Sequence, residues 1–259
     1  MGARLLLVLA LALALGTASA GTPAAPGARG MPAPLQAANV AYDGRYTLAR
    51  IRYTANERGN YEFFGDRLQV WEHDYPRSER HMARILAEVT GIVPDLDASN
   101  IFTADDGKLD EFPITYFCEA GFWGPTDKEV VGMRNYMLKG GFVIIDDFRG
   151  EDWENFLVQL GRVLPGIRPI RLDVSHPIFH VFFDVKALPT VAPTFRRYTP
   201  EFYGLFENND PHGRMMAIVD YNNDVSEYWE WSDTGTFGMD LTNEAYKLGI
   251  NYIVYAMTH

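Results

Sequence analysis

Cysteine is almost absent from this sequence of 259 residues, whose only thiol belongs to Cys118. A chain with one cysteine forms no intramolecular disulfide, so its fold depends on its hydrophobic core. Apolar residues make up 47% and charged residues 22% of the chain. This composition is typical of a globular protein and argues against a disordered one. The length suits one large domain with a sizeable core.

Basic residues are also scarce. Lysine and arginine total 23 against 34 acidic residues, and the formal net charge is −11. Nucleic-acid binding needs a basic face that neutralises phosphates, and the sequence has no cluster of Lys or Arg. The same deficit argues against an anionic membrane surface as a partner.

A long hydrophobic run occurs only near the amino terminus, at residues 5–15. A membrane-spanning helix needs about 20 apolar residues, so we expect no membrane span in the mature chain. Arg4 precedes the run and Ala18-Ser19-Ala20 follows it, which is the order of a secretory signal peptide cleaved after Ala20. We therefore expect a secreted, periplasmic protein with a signal peptide at residues 1–20. Residues 21–45 are predicted to be a flexible leader, and residues 46–259 a single domain.

Strand and helix patterns alternate along the mature chain. The predicted strands are residues 46–53, 113–117, 142–145 and 216–219, and the predicted helices carry the apolar positions of residues 82–89, 130–138, 153–164 and 246–257. Thr126 and Glu129 match a capping box at the start of the second helix. Residues 142–145 are apolar without alternation, which indicates a parallel strand covered on both faces. Residues 54–74 are predicted to be irregular, and residues 174–211 an insertion of loops and short strands. The alternation predicts a doubly wound, mostly parallel α/β sheet.

Acidic side chains follow three of the predicted strands, at Glu119, at Asp146 and Asp147, and at Asp224. In such a sheet the ligand crevice lies at the carboxyl ends of the strands. Oxygen ligands of this kind suit calcium or magnesium, and carboxylates beside aromatic rings such as Trp231 also suit a sugar or another polyol. A purely structural alternative is that Asp146 and Asp147 cap the helix at residues 153–164.

The histidines give weaker signals. His176 is predicted to reach the same crevice from a loop, whereas Pro177 argues against a helical zinc pair with His180. Four others, His73, His81, His212 and His259, are predicted to be surface residues. Cys118 follows a strand but lacks the flanking glycines of a nucleophile elbow, so we do not expect it to be catalytic. The sequence has no P-loop, dinucleotide-binding glycine pattern or HExxH, and we expect no cofactor.

Several short motifs, taken together, resemble the bacterial domain-of-unknown-function 4159 family. They are the stretches at residues 74–77, 116–121, 140–148, 176–179, 224, 230–231 and 246–252. The resemblance runs from about residue 46 to residue 259. It implies a three-layer, flavodoxin-like α/β sandwich similar to class I glutamine amidotransferases and trehalose-utilisation-type proteins. An amidotransferase would need its Cys in an elbow and a later His-x-Glu, so glutaminase activity is not expected.

Three functions remain open from the sequence. The first is a non-catalytic domain that binds a small polar ligand or an envelope protein. The alternative is a carbohydrate-active or other hydrolase that uses Glu119, Asp146 or Asp147 as acid and base, with His176 assisting. The third is a structural partner of an envelope assembly, with the aromatic region at residues 229–231 as its interface. The candidate ligand-binding residues are Glu119, Asp146, Asp147, His176, Asp224 and Trp231.

Overall fold

The computed structural model describes residues 39–63, 66–97, 99–189 and 197–259. The predicted signal peptide and residues 21–38 of the predicted leader lie outside these described residues. Within the described part of the chain, no helix is both long enough and apolar enough to cross a bilayer.

The described residues form nine strands and five α-helices. The strands are β1 Ala49–Ile51, β2 Asn60–Phe63, β3 Asp66–Gln69, β4 Asn100–Phe102, β5 Ile114–Cys118, β6 Phe142–Phe148, β7 Ile170–Arg171, β8 Glu201–Phe206 and β9 Met215–Tyr221. The helices are α1 Arg77–Val89, α2 Asp127–Leu138, α3 Asp152–Val163, α4 Val225–Glu230 and α5 Met239–Thr258. The prediction of an irregular segment at residues 54–74 is wrong in part, because β2 and β3 pair there as a separate antiparallel hairpin.

The main sheet has seven strands in the order β4-β1-β5-β6-β9-β8-β7. The first five are mutually parallel, whereas β8 runs antiparallel to both β9 and β7. The predicted α/β class with a mostly parallel sheet is therefore confirmed. The order in which strands are added to the sheet reverses at β1, because β4 lies on one side of this strand and β5, the next strand in the chain, lies on the other.

The central strand β6 is buried along its whole length. Its side chains alternate between two hydrophobic clusters, with Ile144 packed in one and Val143 in the other. Residues of α1, α4 and α5 belong to the first cluster, and residues of α2 and α3 to the second. Burial on both faces explains why the sequence of β6 shows no alternation, as predicted.

Local signals hold the helices in place. Thr126 accepts a hydrogen bond from the Glu129 backbone, and the Glu129 carboxylate accepts one from the Thr126 backbone, so the predicted capping box of α2 is confirmed.

At the edge strand β4, the amide of Asn39 forms two hydrogen bonds with the backbone of Ile101. This last part of the predicted leader is therefore bound to the sheet.

Candidate functional site

The carboxyl ends of β5, β6 and β9 lie side by side, because the three strands are adjacent and parallel. Cys118 at the end of β5 is in register with Asp146 on β6. Two further segments meet this edge: the loop at residues 70–76 before α1, and the short helix α4 that follows β9. We call this region the carboxyl edge.

One imidazole and three carboxylates converge at the carboxyl edge. His73 Nδ1 lies 2.7 Å from Asp147 Oδ2 and 3.3 Å from Asp74 Oδ1. With Asp224, these residues offer four ligand atoms that all lie within 4.8 Å of one another. The three acids are buried, whereas the His73 side chain is 48% exposed. The imidazole therefore forms the solvent-facing side of the cluster.

A buried arginine fixes the loop that carries His73 and Asp74. Arg50 on β1 has no exposed surface, and its Nη1 donates to the carbonyls of Trp71 and His73 at 2.9 and 2.6 Å. Its Nε donates to Glu79 Oε1 at 2.5 Å, forming a buried ion pair with α1. The position of His73 thus depends on a tertiary contact with the central sheet.

Backbone strain is concentrated at the same edge. Asp74, Glu119, Asp147 and Asn222 have positive φ angles of 63°, 55°, 59° and 59°. A non-glycine residue in this region costs about 1–3 kcal/mol, and such residues cluster at functional sites. Asp and Asn tolerate the conformation best, so Glu119 is the most strained of the four. The surrounding fold holds these acids in orientations that the local chain disfavours.

Asp146 has a structural role beneath the cluster. Its Oδ2 accepts hydrogen bonds from Tyr116 Oη at 2.6 Å and from the backbone N–H groups of Val225 and Ser226 at 2.8 and 3.0 Å. Asp146 therefore caps the start of α4. The alternative that it caps the start of α3 is wrong. Burial and the charge of Asp147 raise the pKa of Asp146 to about 7, although the Tyr116 hydrogen bond opposes the shift.

A second group of acids adjoins the first through Asp74. Glu227 and Glu230 lie on α4, and ligand atoms of these two residues and Asp74 are all within 4.8 Å of one another. Ser226 Oγ donates to Asp74 Oδ2 at 2.5 Å, whereas Asp74 Oδ1 is buried and accepts no hydrogen bond from any N–H or hydroxyl group of the described residues. Burial and the charge of Asp74 raise the pKa values of Glu227 and Glu230 to about 7.

The first group crowds three buried acids around one imidazole, which relieves their repulsion only in part. Burial opposes the charged form of His73, but its hydrogen bond to Asp147 and the neighbouring acids raise the pKa of His73 to about 10. Burial also raises the pKa of Asp74 and Asp224, with the charge of Asp147 adding to both effects. One imidazolium cannot balance this many carboxylates, so the site needs retained protons or a cation.

Comparison with known families gives a match over most of the chain. The model of a family described as Domain of unknown function (DUF4159) matches residues 47–257. The chain belongs to this family. The match contains every residue of the carboxyl edge, and the family membership indicated by the motifs is confirmed. No curated protein matches the chain.

This DUF4159 domain brings together most of the predicted site residues. Asp147 and Asp224 are in the group of four, and half-buried Glu119 is close enough for the charge of Asp147, in addition to burial, to raise its pKa. Trp231 lies at the end of α4, where the guanidinium of Arg77 covers its ring at 4.8 Å from the centroid. The ring is therefore a poor open platform for a sugar.

His176 is the exception, and the prediction that it reaches the crevice is wrong. It lines a groove with Pro211, Gly213 and Arg214, which immediately precede β9, so it lies at the amino ends of the parallel strands. Its Nδ1 accepts a hydrogen bond from the Ile178 backbone at 3.2 Å and caps the turn at Pro177–Phe179. The segment that carries His176, residues 173–177, therefore lies at the opposite edge of the sheet.

Sequence reasoning missed four residues of the two groups: His73, Asp74, Glu227 and Glu230. His73 was predicted to be an ordinary surface residue, because the sequence shows no partner for it. The signal in the sequence was the adjacent pair of histidine and aspartate before Pro76, whose importance depends on the contact with Arg50. Glu227 and Glu230 look like the solvated side of a helix, and their burial depends on how α4 packs.

Proposed function

We propose that this protein is a ligand-binding protein whose carboxyl edge binds a divalent cation through His73, Asp74, Asp147 and Asp224. The convergence of these four ligand atoms within 4.8 Å carries the proposal. Such a cation would relieve the repulsion among the buried acids and leave open positions on its solvent side. A small polar ligand with oxygen donors could complete its coordination.

The chemistry of the ligands favours a hard cation. Three of the four donors are carboxylates, which suit magnesium, manganese or calcium. Cys118 is the nearest soft donor, and its Sγ donates to Asp147 Oδ2 at 3.5 Å. Burial and the charge of Asp147 hold the pKa of the Cys118 thiol well above its usual range, so the thiolate that zinc prefers is disfavoured.

We extend the proposal to the detailed fold class, to the lack of glutaminase activity and to the location of the protein. Helices packed on both faces of a mostly parallel sheet support a three-layer, glutamine amidotransferase-like sandwich. The buried Cys118, with its raised pKa, supports the expectation that this domain is not a glutaminase. The sequence of residues 1–20 supports secretion to the periplasm.

A hydrolase is the second candidate, and Glu119 favours it. Its half-buried carboxyl has a pKa well above the usual range because of burial and the charge of Asp147. A carboxyl with a raised pKa beside a second carboxyl is the arrangement of a general acid with its partner. In this version Glu119 and Asp147 would act, since Asp146 is fully buried and His176 lies at the other edge.

The test of the first candidate is the thermal stability of the mature chain in magnesium, manganese or calcium chloride after treatment with a chelator. We expect at least one cation to raise the melting temperature, because a ligand of the native state stabilises it. Asp147→Asn should lose most of this increase, since Asn tolerates the positive φ of this position and provides only a neutral donor. The matched control is Asp173→Asn, which should retain the increase. Asp173 is an exposed acid at the amino ends of the parallel strands, which we call the amino edge. An equal increase in both variants, or none in the parent, would refute the proposal.

A further inference from the structure

Asp74 belongs to both groups of potential ligands at the carboxyl edge. It shares one group with His73, Asp147 and Asp224, and the other with Glu227 and Glu230. A carboxylate has two oxygens and can bind two cations at once. The shared position of Asp74 is therefore the geometry of a bridging ligand.

The fold presents Glu227 and Glu230 to Asp74 from a firmly held helix. The two residues are three apart on α4, so they lie on the same face of the helix. Asp146 accepts the first backbone N–H groups of α4, and Asp224 accepts the Glu227 N–H at 3.0 Å. The positions of both glutamates are thus fixed by the strands that also fix the first group.

The unsatisfied oxygen of Asp74 is an independent sign of a ligand. The Asp74 side chain is 0% exposed, and its Oδ1 accepts no hydrogen bond from the described residues: His73 Nδ1 lies 3.3 Å away but is hydrogen-bonded to Asp147 Oδ2 instead. Buried oxygens are nearly always hydrogen-bonded, and an orphaned one requires an explanation such as a bound ion. Its Oδ2 is held by Ser226 Oγ at 2.5 Å, which fixes the plane of the carboxylate.

We propose that the carboxyl edge is a two-cation centre, in which Asp74 bridges a cation held by His73, Asp147 and Asp224 to a second cation held by Glu227 and Glu230. The inference rests on the proposed function for the first cation, and it adds a second site made only of carboxylates. Oxygen-only ligands suit small hard divalent cations such as manganese and magnesium. Two cations joined in this way form a clamp that would bind one oxyanion of a ligand from two sides.

The experiment counts manganese ions bound to the mature chain by calorimetry and follows them by electron paramagnetic resonance. We expect two ions per chain and the exchange-coupled signal of a bridged pair. Glu227→Gln combined with Glu230→Gln should reduce the count to one and replace the coupled signal with that of an isolated ion. Glu154→Gln, an exposed glutamate on α3, is the matched control and should leave both readouts unchanged.

The outcomes separate this inference from the proposed function. One ion per parent chain, lost in Asp147→Asn and retained in the double glutamate variant, would refute the second site and leave the first. Two ions without exchange coupling would refute the bridging role of Asp74. No bound manganese in the parent would refute both proposals.

Discussion

The two ends of the parallel strands differ in how their charges are placed. At the carboxyl edge, Asp74, Asp147 and Asp224 are buried and close together. At the amino edge, a groove of about 640 Å³ contains His176 and Arg214, whose polar atoms bond to backbone or to exposed partners. Concavity alone therefore does not identify the site. The convergence of buried acids around His73 does.

The backbone shows the same contrast. Positive φ angles near the amino edge occur at Asn208 and Asn209, in a turn and in the residue type that accepts them most readily. At the carboxyl edge they occur directly after β5, at Glu119, and at the irregularity of β6, at Asp147, and the Glu119 side chain gives no such tolerance. Strain that follows from a turn is ordinary, whereas strain in acids at strand ends indicates selection for their orientation.

The largest expected difference between the edges concerns their arginines. Arg50→Met removes a fully buried partner of Glu79, and breaking a buried ion pair costs about 3–5 kcal/mol. Arg214→Met removes a partly exposed partner of Glu207, together with a hydrogen bond to the Met137 carbonyl, and should cost about 1 kcal/mol. Denaturant unfolding of both variants measures the difference. Equal losses of stability would contradict the contrast in burial on which the comparison rests.

The pH dependence of stability should also differ in sign between the edges. Burial, with the charge of Asp146 adding to it, raises the pKa of Asp220 well above its usual range. Its contribution to stability is therefore present below about pH 4 and is lost as the pH rises through the raised value. Asp220→Asn keeps an acceptor for Tyr252 Oη and removes the ionisation. We expect the variant to be more stable than the parent at pH 8 by about 1 kcal/mol. Its free energy of unfolding should also decline less than that of the parent between pH 5 and pH 8.

Denaturant unfolding across this pH range measures the effect. Asp184→Asn is a suitable control, because Asp184 is exposed and its hydrogen bonds to Lys186 and His180 lower its pKa. The Asp184→Asn substitution should leave unchanged the decline of the free energy of unfolding above pH 5. A parent whose stability rises from pH 5 to pH 8 as a result of Asp220 would reverse the sign and contradict the assignment.

Much of the fold could be predicted because its signals are local. The apolar run of β6 and the capping box of α2 each determine their structure from a few adjacent residues. The strands that were missed lack such signals. β4 and β7 contain only three and two residues, too few to show a period. β8 lies within the segment predicted as loops and short strands, where no strand bounds could be given. Their existence depends on pairing with neighbours that are distant in sequence.

The site could be predicted only where strand direction determines it. Asp147 and Asp224 were found because residues after parallel strands share one edge. His73 and Asp74 could not be found in this way, since the Arg50 contact that positions them is tertiary. The error over His176 has the same origin, because a loop predicted without its path can reach either edge of the sheet.

A smaller effect is expected from Cys118→Ser. The serine hydroxyl can donate to Asp147 as the thiol does, and the lost burial of sulfur should cost about 1 kcal/mol. Since the cation in our proposal uses carboxylates, manganese should raise the melting temperature of this variant as much as that of the parent. Loss of that response with the fold intact would make Cys118 a ligand and would favour a softer metal.

The smallest effect is expected from His176→Asn, which tests the separation of the two edges most directly. Asn can accept the hydrogen bond from the Ile178 backbone, as His176 does, so the cap is kept and stability at pH 8 should change by less than about 0.5 kcal/mol. Burial lowers the pKa of His176, although the charge of Asp173 opposes the shift. Its contribution is present above about pH 6.5 and is lost as the pH falls through the lowered value, which is the opposite direction to Asp220. The variant should therefore lose less stability than the parent between pH 7 and pH 5.

The increase in melting temperature that manganese gives His176→Asn should equal that of the parent, because His176 lies at the amino ends of the strands. If His176→Asn abolished the response to manganese, the two edges would be coupled and the assignment of the site to the carboxyl edge alone would be wrong.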